Sequence, residues 1–344
     1  MPAVIESRHT ITLAIDAMSG DRGPGVVVAG ALDAVRDHKA LKLILVGNQD
    51  ELRALLRSGA DEGHPRIEIE HAPDVVGMGE RPSRVLRQKQ QSSMARALEL
   101  VRDKRAQACV SAGNTGALMA LGRYILKTFP GIDRPAIAKS VPGPRGECLM
   151  LDLGANVDAS ADHLFQFAQM GAVAAAGKNG SDRPRVALLN VGEEEIKGRE
   201  EVRLASHMLA QSSTVNYIGY IEGSDLFRGV ADVVVCDGFV GNVALKTGEG
   251  VATLLINLIE DAFREGLYGR LVGALAKPML ARIVRKVDPH QYNGACLLGL
   301  QGVVIKSHGN ASERGIVSAI CQAADEVRSG VTQRMGDRLD DLIP

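Results

Sequence analysis

The chain has 344 residues, of which 45% are hydrophobic, so it is long and apolar enough to bury a large core. Its 40 Lys and Arg residues nearly balance 41 Asp and Glu residues, and the formal net charge of -1 excludes a global positive field that would attract nucleic acid. The five cysteines are widely spaced and form no C-x-x-C pair, which predicts reduced core thiols.

Short apolar runs alternate along the chain with longer segments whose apolar residues recur at helical spacing. The short runs are rich in Val, Ile and Leu, which is typical of strands covered on both faces. This alternation predicts an α/β fold with a largely parallel β-sheet flanked by helices, a Rossmann-like three-layer sandwich. The predicted strands are 11–15, 41–46, 67–69, 108–110, 136–138, 148–151, 186–189, 215–221 and 233–236, and the clearest predicted helices are 26–37, 94–104, 118–127 and 162–177.

We predict one large domain over residues 1–344, with an amphipathic helical tip at 258–288. In this segment apolar residues such as Leu271 and Leu275 alternate with basic ones such as Arg270. Gly269, Gly273 and Pro278 are expected to break it into short pieces that form a protruding helical hairpin. An ordinary packed or dimer-forming helix pair explains the same pattern.

Gly-rich elbows follow five of the predicted strands, at 16–25, 111–117, 151–156, 189–198 and 237–250. In a parallel sheet, ligands bind outside the carboxyl ends of the strands. The elbow Ser111-Ala-Gly-Asn-Thr-Gly-Ala117 is the most informative, because it places free backbone N–H groups at a predicted helix start, where a phosphate-sized anion can bind. Ordinary turn chemistry explains any one elbow, whereas five together favour a binding site.

The usual nucleotide and metal signatures are absent from the sequence. Gly20, Gly23 and Gly25 do not have the G-x-G-x-x-G spacing, and segment 171–178 resembles a Walker A loop with one residue too many. No His or Cys cluster has the spacing of metal ligands. We therefore predict neither a metal nor a cofactor.

A series of short motifs, in order along the chain, resembles the bacterial phosphate acyltransferases of phospholipid synthesis. The resemblance extends from about residue 11 to about residue 320, and one departure is that Ser19 stands where the family usually has Gly. If that position needs a positive φ, Ser19 would be strained. The motifs are Asp16-Ala-Met-Ser-Gly-Asp21, Ser92-Ser-Met94, Ser111-Ala-Gly-Asn-Thr-Gly-Ala-Leu-Met119, Gly131-Ile-Asp-Arg-Pro-Ala-Ile137, Leu151-Asp-Leu-Gly-Ala-Asn156, Asn190-Val-Gly-Glu-Glu-Glu-Ile-Lys-Gly198, Phe239-Val-Gly-Asn-Val-Ala-Leu-Lys246 and Ser307-His-Gly309.

The resemblance implies transfer of a long-chain fatty acyl group from acyl carrier protein to inorganic phosphate, giving acyl phosphate for phospholipid synthesis. Phosphate is largely dianionic near neutral pH, and a thiol leaving group needs only modest acid assistance. The protein would mainly position the reactants and stabilise charge. Two alternatives remain: a phosphate acetyl- or butyryltransferase that uses an acyl-coenzyme A, and a non-catalytic phosphate- or acyl-binding module that is recruited to membranes.

The candidate site residues follow from the elbows and the resemblance together. The structural alternatives are a solvated Lys246, a surface ion pair of Lys197, a capping role for His308, and plain turn roles for the Asp and Asn residues. Cys296 is an alternative nucleophile, but its apolar neighbours favour packing. The predicted roles are catalytic for Lys197, Asn242, Lys246 and His308, phosphate-binding for Gly113, Asn114, Thr115 and Gly116, and pocket-lining for Asp16, Ser111, Asp152 and Asn156.

The resemblance also implies partners and a location. The partners are acyl carrier protein, inorganic phosphate, a second copy of the chain, a membrane glycerol-3-phosphate acyltransferase and an anionic membrane surface that the 258–288 tip contacts. Arg81, Arg84 and Arg87 are candidates for docking an acidic carrier protein, or are simply solvated. Residues 1–10 lack the apolar core of a secretory signal. The resemblance implies a cytoplasmic protein that is peripherally bound to the inner face of the cell membrane.

Overall fold

A computed structural model describes residues 10–59, 63–144, 146–176, 181–264, 266–287 and 293–342. The chain divides into two compact units. The first unit comprises Met1–Pro135 with Asn293–Pro344, and the second comprises Ala136–Tyr292. The single domain over 1–344 remains a prediction from the sequence.

The strands of the first unit are mostly parallel. Their spatial order is β3–β2–β1–β4–β11–β10, and only β10 runs antiparallel to its described neighbour β11. β1, β4 and β11 are therefore adjacent, and their carboxyl ends lie at the same edge. The bounds are β1 (Ile11–Asp16), β2 (Leu41–Gly47), β3 (Ile67–His71), β4 (Ala108–Ser111), β10 (Ala295–Leu298) and β11 (Val303–Lys306).

Four helices of the first unit, α2, α4, α5 and α10, begin after a residue whose side chain caps the first turn. Asn48, Ser92, Asn114 and Ser312 each accept hydrogen bonds from N–H groups in the first turn of the helix that follows. The bounds are α1 (Pro24–Asp37), α2 (Gln49–Ser58), α3 (Pro82–Gln88), α4 (Ser93–Arg102), α5 (Thr115–Ile125), α10 (Glu313–Ser329) and α11 (Val331–Leu342).

The second unit has strands in the order β5–β6–β9–β7–β8, of which only β5 and β6 form an antiparallel pair. The fully buried Phe167 contributes to its core. The bounds are β5 (Ala136–Gly143), β6 (Gly146–Leu151), β7 (Arg185–Leu189), β8 (Asn216–Ile221), β9 (Val233–Val235), α6 (Ala161–Ala175), α7 (Glu200–Gln211), α8 (Gly238–Arg264) and α9 (Gly266–Val287).

The predicted α/β class with a largely parallel sheet is confirmed, and all nine predicted strands occur with shifted ends. The sequence did not predict β10 and β11, although they are no shorter than the predicted β4 and β9. Periodicity alone does not distinguish such short apolar runs from segments of buried helix. The sequence also did not predict the antiparallel pairing of β5 with β6 and of β10 with β11.

The predicted breaks at Gly269, Gly273 and Pro278 are wrong, because α9 continues through all three. A proline can remain inside a helix at the cost of one hydrogen bond. Gly273 lies against α8, since a Cβ built there would be 2.9 Å from the Cβ atom of Phe263. Whether the two helices form a protruding tip remains a prediction, and residues 265 and 288 of the predicted tip lie outside the described residues. No described helix is long and apolar enough to span a bilayer.

Candidate functional site

Asp16 and Ser111 end the neighbouring parallel strands β1 and β4, where they are paired in register. Both are buried, and the Ser111 hydroxyl donates to Asp16 Oδ2 over 2.7 Å. The same Ser111 oxygen accepts the N–H of Gly113 over 3.1 Å. This chain of two hydrogen bonds fixes the start of the elbow relative to β1.

The Asp16 carboxyl group is incompletely satisfied. Its Oδ1 atom is buried without a hydrogen-bond partner, and so are the hydroxyl oxygens of Ser19 and Ser93. Burial raises the pKa of Asp16. The hydroxyl groups of Ser19, Ser93 and Ser111 and the Met18 N–H lower this pKa, but by less than burial raises it. Ser19 and Ser93 thus favour the charged form, although neither reaches full hydrogen-bond geometry.

Asn114 caps α5 and also anchors the loop that precedes α3. Its Oδ1 atom accepts the Ala117 N–H over 2.9 Å, while Nδ2 donates to the carbonyl oxygens of Met78 and Glu80 over 2.6 and 3.0 Å. The Asn114 side chain and the Gly113 N–H, both predicted to bind phosphate, therefore have protein partners. The N–H groups of Thr115 and Gly116 belong to the first turn of α5, where no intrahelical acceptor precedes them, and both residues are half-buried.

The loop after β11 contacts the same strand ends. The N–H of Ser307 donates to the Ser111 carbonyl oxygen over 2.9 Å, and the N–H of Asp21 donates to the Gly309 carbonyl oxygen over 2.7 Å. The loops after β1, β4 and β11 are thus joined within the first unit. The strain proposed for Ser19 is absent, because the left-handed residues of the first loop are both glycines, Gly20 at φ 111° and Gly23 at φ 73°.

The sequence analysis missed Asn293, which holds the backbone at His308. Its Nδ2 atom donates to Ser307 Oγ over 2.8 Å and to the Gly315 carbonyl oxygen over 2.7 Å, while its Oδ1 atom accepts the His308 N–H over 3.0 Å. Asn293 is buried, and no motif around it indicated this role. His308 itself is half-buried.

Asp152 follows β6 in the second unit and is buried. Its Oδ1 atom accepts the N–H groups of Ile137 and Ala155, each over 3.0 Å. Its Oδ2 atom accepts the N–H of Asn156 over 2.6 Å and the side-chain amide of the same residue over 2.9 Å. Burial raises the pKa of Asp152 in spite of these four hydrogen bonds.

The start of α8 packs closely on this Asp152 turn. A Cβ added at Gly241 would be 1.9 Å from the Asp152 carbonyl oxygen, so only glycine fits there. Asn242 lies beside Gly154, whose added Cβ would be 3.6 Å from the Asn242 Cβ atom. Asp237 accepts the Val240 N–H over 2.9 Å and a hydrogen bond from Arg199 over 3.1 Å, which fixes the first turn.

Lys246, on α8, belongs to a cluster of two lysines and one glutamate. Its Nζ atom lies 2.8 Å from Glu249 Oε2, and Lys139 Nζ, from β5, lies 2.8 Å from Glu249 Oε1. The Lys139 side chain is 5% exposed, whereas that of Lys246 is 49% exposed. Burial lowers the pKa of Lys139, although Glu249 acts in the opposite direction. The sequence analysis missed Lys139 and Glu249; the signal was a lone lysine in an apolar strand.

Lys197 lies in the exposed loop between β7 and α7. Its Nζ atom is 2.8 Å from Glu194 Oε1, and this ion pair raises the pKa of the lysine. The surface ion pair that the sequence offered as an alternative is therefore present. It does not exclude phosphate binding, because an exposed ion pair opens at little cost.

The predicted site residues are distributed over both units. Asp16, Ser111, Gly113, Asn114, Thr115, Gly116 and His308 lie in the first unit, whereas Asp152, Asn156, Lys197, Asn242 and Lys246 lie in the second. Cys296 is buried in β10. Among the described residues no group of His, Cys, Asp and Glu side chains could hold a metal ion.

Comparison with known proteins extends over almost the whole chain. Residues 11–334 match the model of a family described as fatty acid synthesis protein. The chain is 65% identical to the phosphate acyltransferase of Marinobacter nauticus, with 97% of each chain covered. It is 55% identical to the phosphate acyltransferase of Pseudomonas aeruginosa, with 96% of this chain and 98% of the relative covered.

Solved structures of lower identity share the fold. A phosphotransacetylase from Streptococcus pyogenes aligns with a TM-score of 0.60 at 17% identity, covering 93% of this chain and 94% of that one. A branched-chain phosphotransacylase from Enterococcus faecalis aligns with a TM-score of 0.59 at 17% identity, covering 92% and 99%. The family suggested by the sequence motifs is confirmed by the full-length matches: this chain belongs to the phosphate acyltransferases, within the fatty acid synthesis proteins.

Proposed function

We propose that this protein transfers a long-chain fatty acyl group from acyl carrier protein to inorganic phosphate and so supplies acyl phosphate for phospholipid synthesis. The observation that carries the proposal is the 65% identity, over 97% of both chains, to a protein named phosphate acyltransferase. That the acyl donor is acyl carrier protein is a separate claim, and an assay with two competing donors tests it.

Phosphate is proposed to bind at the start of α5. The N–H groups of Thr115 and Gly116 are donors of a first helical turn, and the positive end of the helix dipole favours an anion there. Asn114 and Ser111 support this site indirectly, because their hydrogen bonds fix the elbow and the loop before α3. Asp16 acts through Ser111 in the same way.

Charge stabilisation is the main chemical task. Dianionic phosphate attacks the thioester carbonyl carbon, the C–S bond breaks, and the thiolate leaves on the carrier. Lys197 and Lys246 are the candidates to neutralise phosphate, and Asn242, Lys246 and His308 are the candidates to donate to the developing oxyanion. Asp152 and Asn156 shape the turn beneath α8.

The carrier is proposed to dock on three arginines in and directly before α3. Arg81, Arg84 and Arg87 are exposed, and α3 adjoins the start of α5, since a Cβ at Gly116 would be 3.0 Å from Pro82 Cγ. Opposite charge would accelerate encounter with an acidic carrier. We expect Arg84→Glu/Arg87→Glu to raise KM for the carrier thioester and leave KM for phosphate unchanged. Arg53→Glu/Arg203→Glu, at exposed helix arginines elsewhere, is the matched control.

The remaining partners are proposed from the same family resemblance: a second copy of the chain, a membrane glycerol-3-phosphate acyltransferase and an anionic membrane surface, for a cytoplasmic protein peripherally bound to the cell membrane. Exposed apolar side chains on α9, among them Leu271 at 65% and Leu275 at 78%, suit the membrane role. Leu271→Glu/Leu275→Glu should weaken co-sedimentation with anionic liposomes and leave acyl transfer intact. Unchanged sedimentation would contradict the proposed contact of α9 with the membrane.

The activity is tested by incubating the purified protein with acyl carrier protein thioester, phosphate and a chelator. We expect acyl phosphate that hydroxylamine traps as a hydroxamate. Acyl-coenzyme A in a competing arm separates the donors: preference for it would replace the proposal by the acetyl- or butyryltransferase alternative. Binding of phosphate without any hydroxamate would identify a non-catalytic module.

The phosphate site is tested by removing one backbone donor. Thr115→Pro deletes the N–H at the first position of α5, where proline fits a helix well. Thr115→Ala deletes the hydroxyl and γ-methyl groups but keeps the N–H, and is the matched control. We expect Thr115→Pro to raise KM for phosphate on the order of tenfold, the effect of one charge-assisted hydrogen bond, and the alanine variant to change it less. Equal values in both variants would exclude this N–H as a phosphate ligand.

A further inference from the structure

Glu249 is bound by two lysines that differ in their access to solvent. Lys139 approaches Oε1 and Lys246 approaches Oε2, each at 2.8 Å, so each carboxylate oxygen has its own ammonium group. The Lys139 side chain is 5% exposed and is tied to β5, while Lys246 is 49% exposed on α8. One cation is therefore fixed in the interior and the other lies at the surface.

This asymmetry matters for an anionic substrate. The Glu249 side chain is only 17% exposed, and a carboxylate at that depth that loses its counter-charge is destabilised. If Lys246 were its sole counter-charge, turning Lys246 toward phosphate would leave the carboxylate uncompensated. With Lys139 bound to the other oxygen, Glu249 remains neutralised when Lys246 moves away.

We infer that Lys139 is a positioning residue which holds the charge of Glu249 and thereby releases Lys246 to bind the anionic substrate. The inference rests on the proposed binding of phosphate by Lys246, and it adds Lys139 and Glu249 as residues that control this lysine. Glu249 then competes with the substrate for Lys246, and Lys139 weakens that competition. A merely structural cluster makes the opposite prediction for Glu249, since it would need the carboxylate to hold Lys246 in place.

The two roles are separated by the sign of the effect on phosphate affinity. Lys139→Met keeps an unbranched side chain that is one atom shorter and removes the charge, so Glu249 should hold Lys246 more strongly. We expect the Kd for inorganic phosphate, measured by calorimetry, to rise on the order of tenfold. Lys139→Arg keeps the charge and should restore binding. Glu249→Gln should leave the Kd unchanged or lower it, and Lys139→Met/Glu249→Gln should match Glu249→Gln.

A second ion pair of the same unit provides the control. Arg185 and Asp232 are joined over 3.0 Å with side-chain exposures of 35% and 17%. Arg185→Met should lower the unfolding midpoint without changing the Kd for phosphate. Circular dichroism and the unfolding midpoint verify that each variant is folded.

Three results would overturn the inference: an unchanged Kd in folded Lys139→Met, a Kd raised as much by Glu249→Gln as by Lys139→Met, or no binding of phosphate to the wild-type protein. Steady-state kinetics should show the same pattern in KM for phosphate with a smaller change in kcat. If the wild-type protein binds phosphate but forms no acyl phosphate, the proposed function fails, while the Kd values still test the lysine exchange.

Discussion

Two buried aspartates lie at strand ends in the two units, Asp16 as the last residue of β1 and Asp152 directly after β6, and their surroundings differ. Asp152 accepts four hydrogen bonds from N–H donors, two on each carboxylate oxygen. Asp16 accepts one from Ser111 on Oδ2, while its Oδ1 atom has no partner. One residue type at the ends of two strands can therefore serve different purposes. Asp152 ties a turn together, whereas Asp16 retains unused acceptor capacity beside the α5 elbow.

The packing around Asp152 should give the largest effect. Gly241→Ala would place a Cβ 1.9 Å from the Asp152 carbonyl oxygen and 2.8 Å from Cys236 Sγ. Relieving this clash would move α8 away from the Asp152 turn and lose packing contacts, so we expect a loss of about 3 kcal/mol in the free energy of unfolding. Urea denaturation measures it.

Gly250→Ala is the control for Gly241→Ala on the same helix. No atom lies within 4 Å of a Cβ built at Gly250, so the substitution should stabilise α8 by about 0.5 to 1 kcal/mol. A similar small gain at Gly241 would show that α8 does not rest on the Asp152 turn as described.

Asparagine substitutions compare the two aspartates directly. Asp152→Asn puts an amide N–H₂ group where one oxygen accepts two donors, and we expect a loss of about 2 kcal/mol in the free energy of unfolding. Asp16→Asn can keep its oxygen on Ser111 and place the amide group at the unpartnered Oδ1 position, so its loss should be smaller. Equal losses would remove the distinction between the two carboxyl groups.

The pH dependence of stability tests the burial of Asp16. Its pKa is raised above 3.8 in the folded protein, so the folded state keeps the proton to higher pH than the unfolded chain does. This contribution to stability is present below pH 3.8 and is lost as the pH rises through the raised pKa. The side chain in Asp16→Asn does not ionise, so this variant does not lose stability as the pH rises through the pKa of Asp16.

Urea titrations between about pH 4 and about pH 7 should therefore show the free energy of unfolding of Asp16→Asn rising relative to that of the wild-type protein. A constant difference over this range would mean that Asp16 ionises as readily in the folded protein as in the unfolded chain.

The sequence predicted the features that local pattern determines. Continuous apolar runs located nine of the eleven described strands, and turn residues beside them located Asp16, Ser111 and Asp152. Local pattern cannot reveal partners that are distant in sequence. Lys139 and Glu249 are 110 residues apart, and the antiparallel pairing of β10 with β11 depends on register rather than on composition. Asn293 was missed because its role consists of contacts with residues 14 to 22 positions away.

The smallest expected effect on stability concerns Lys197, whose ion pair with Glu194 lies at the surface, with side-chain exposures of 46% and 59%. Lys197→Gln and Glu194→Gln break the same pair, and we expect both to leave the unfolding midpoint unchanged because exposed ion pairs contribute little. The two variants differ in the charge that remains, since only Glu194→Gln retains the ammonium group of Lys197. If Lys197 neutralises phosphate, Lys197→Gln raises KM for phosphate and Glu194→Gln does not, whereas equal KM values in the two variants would assign the lysine to the surface ion pair alone.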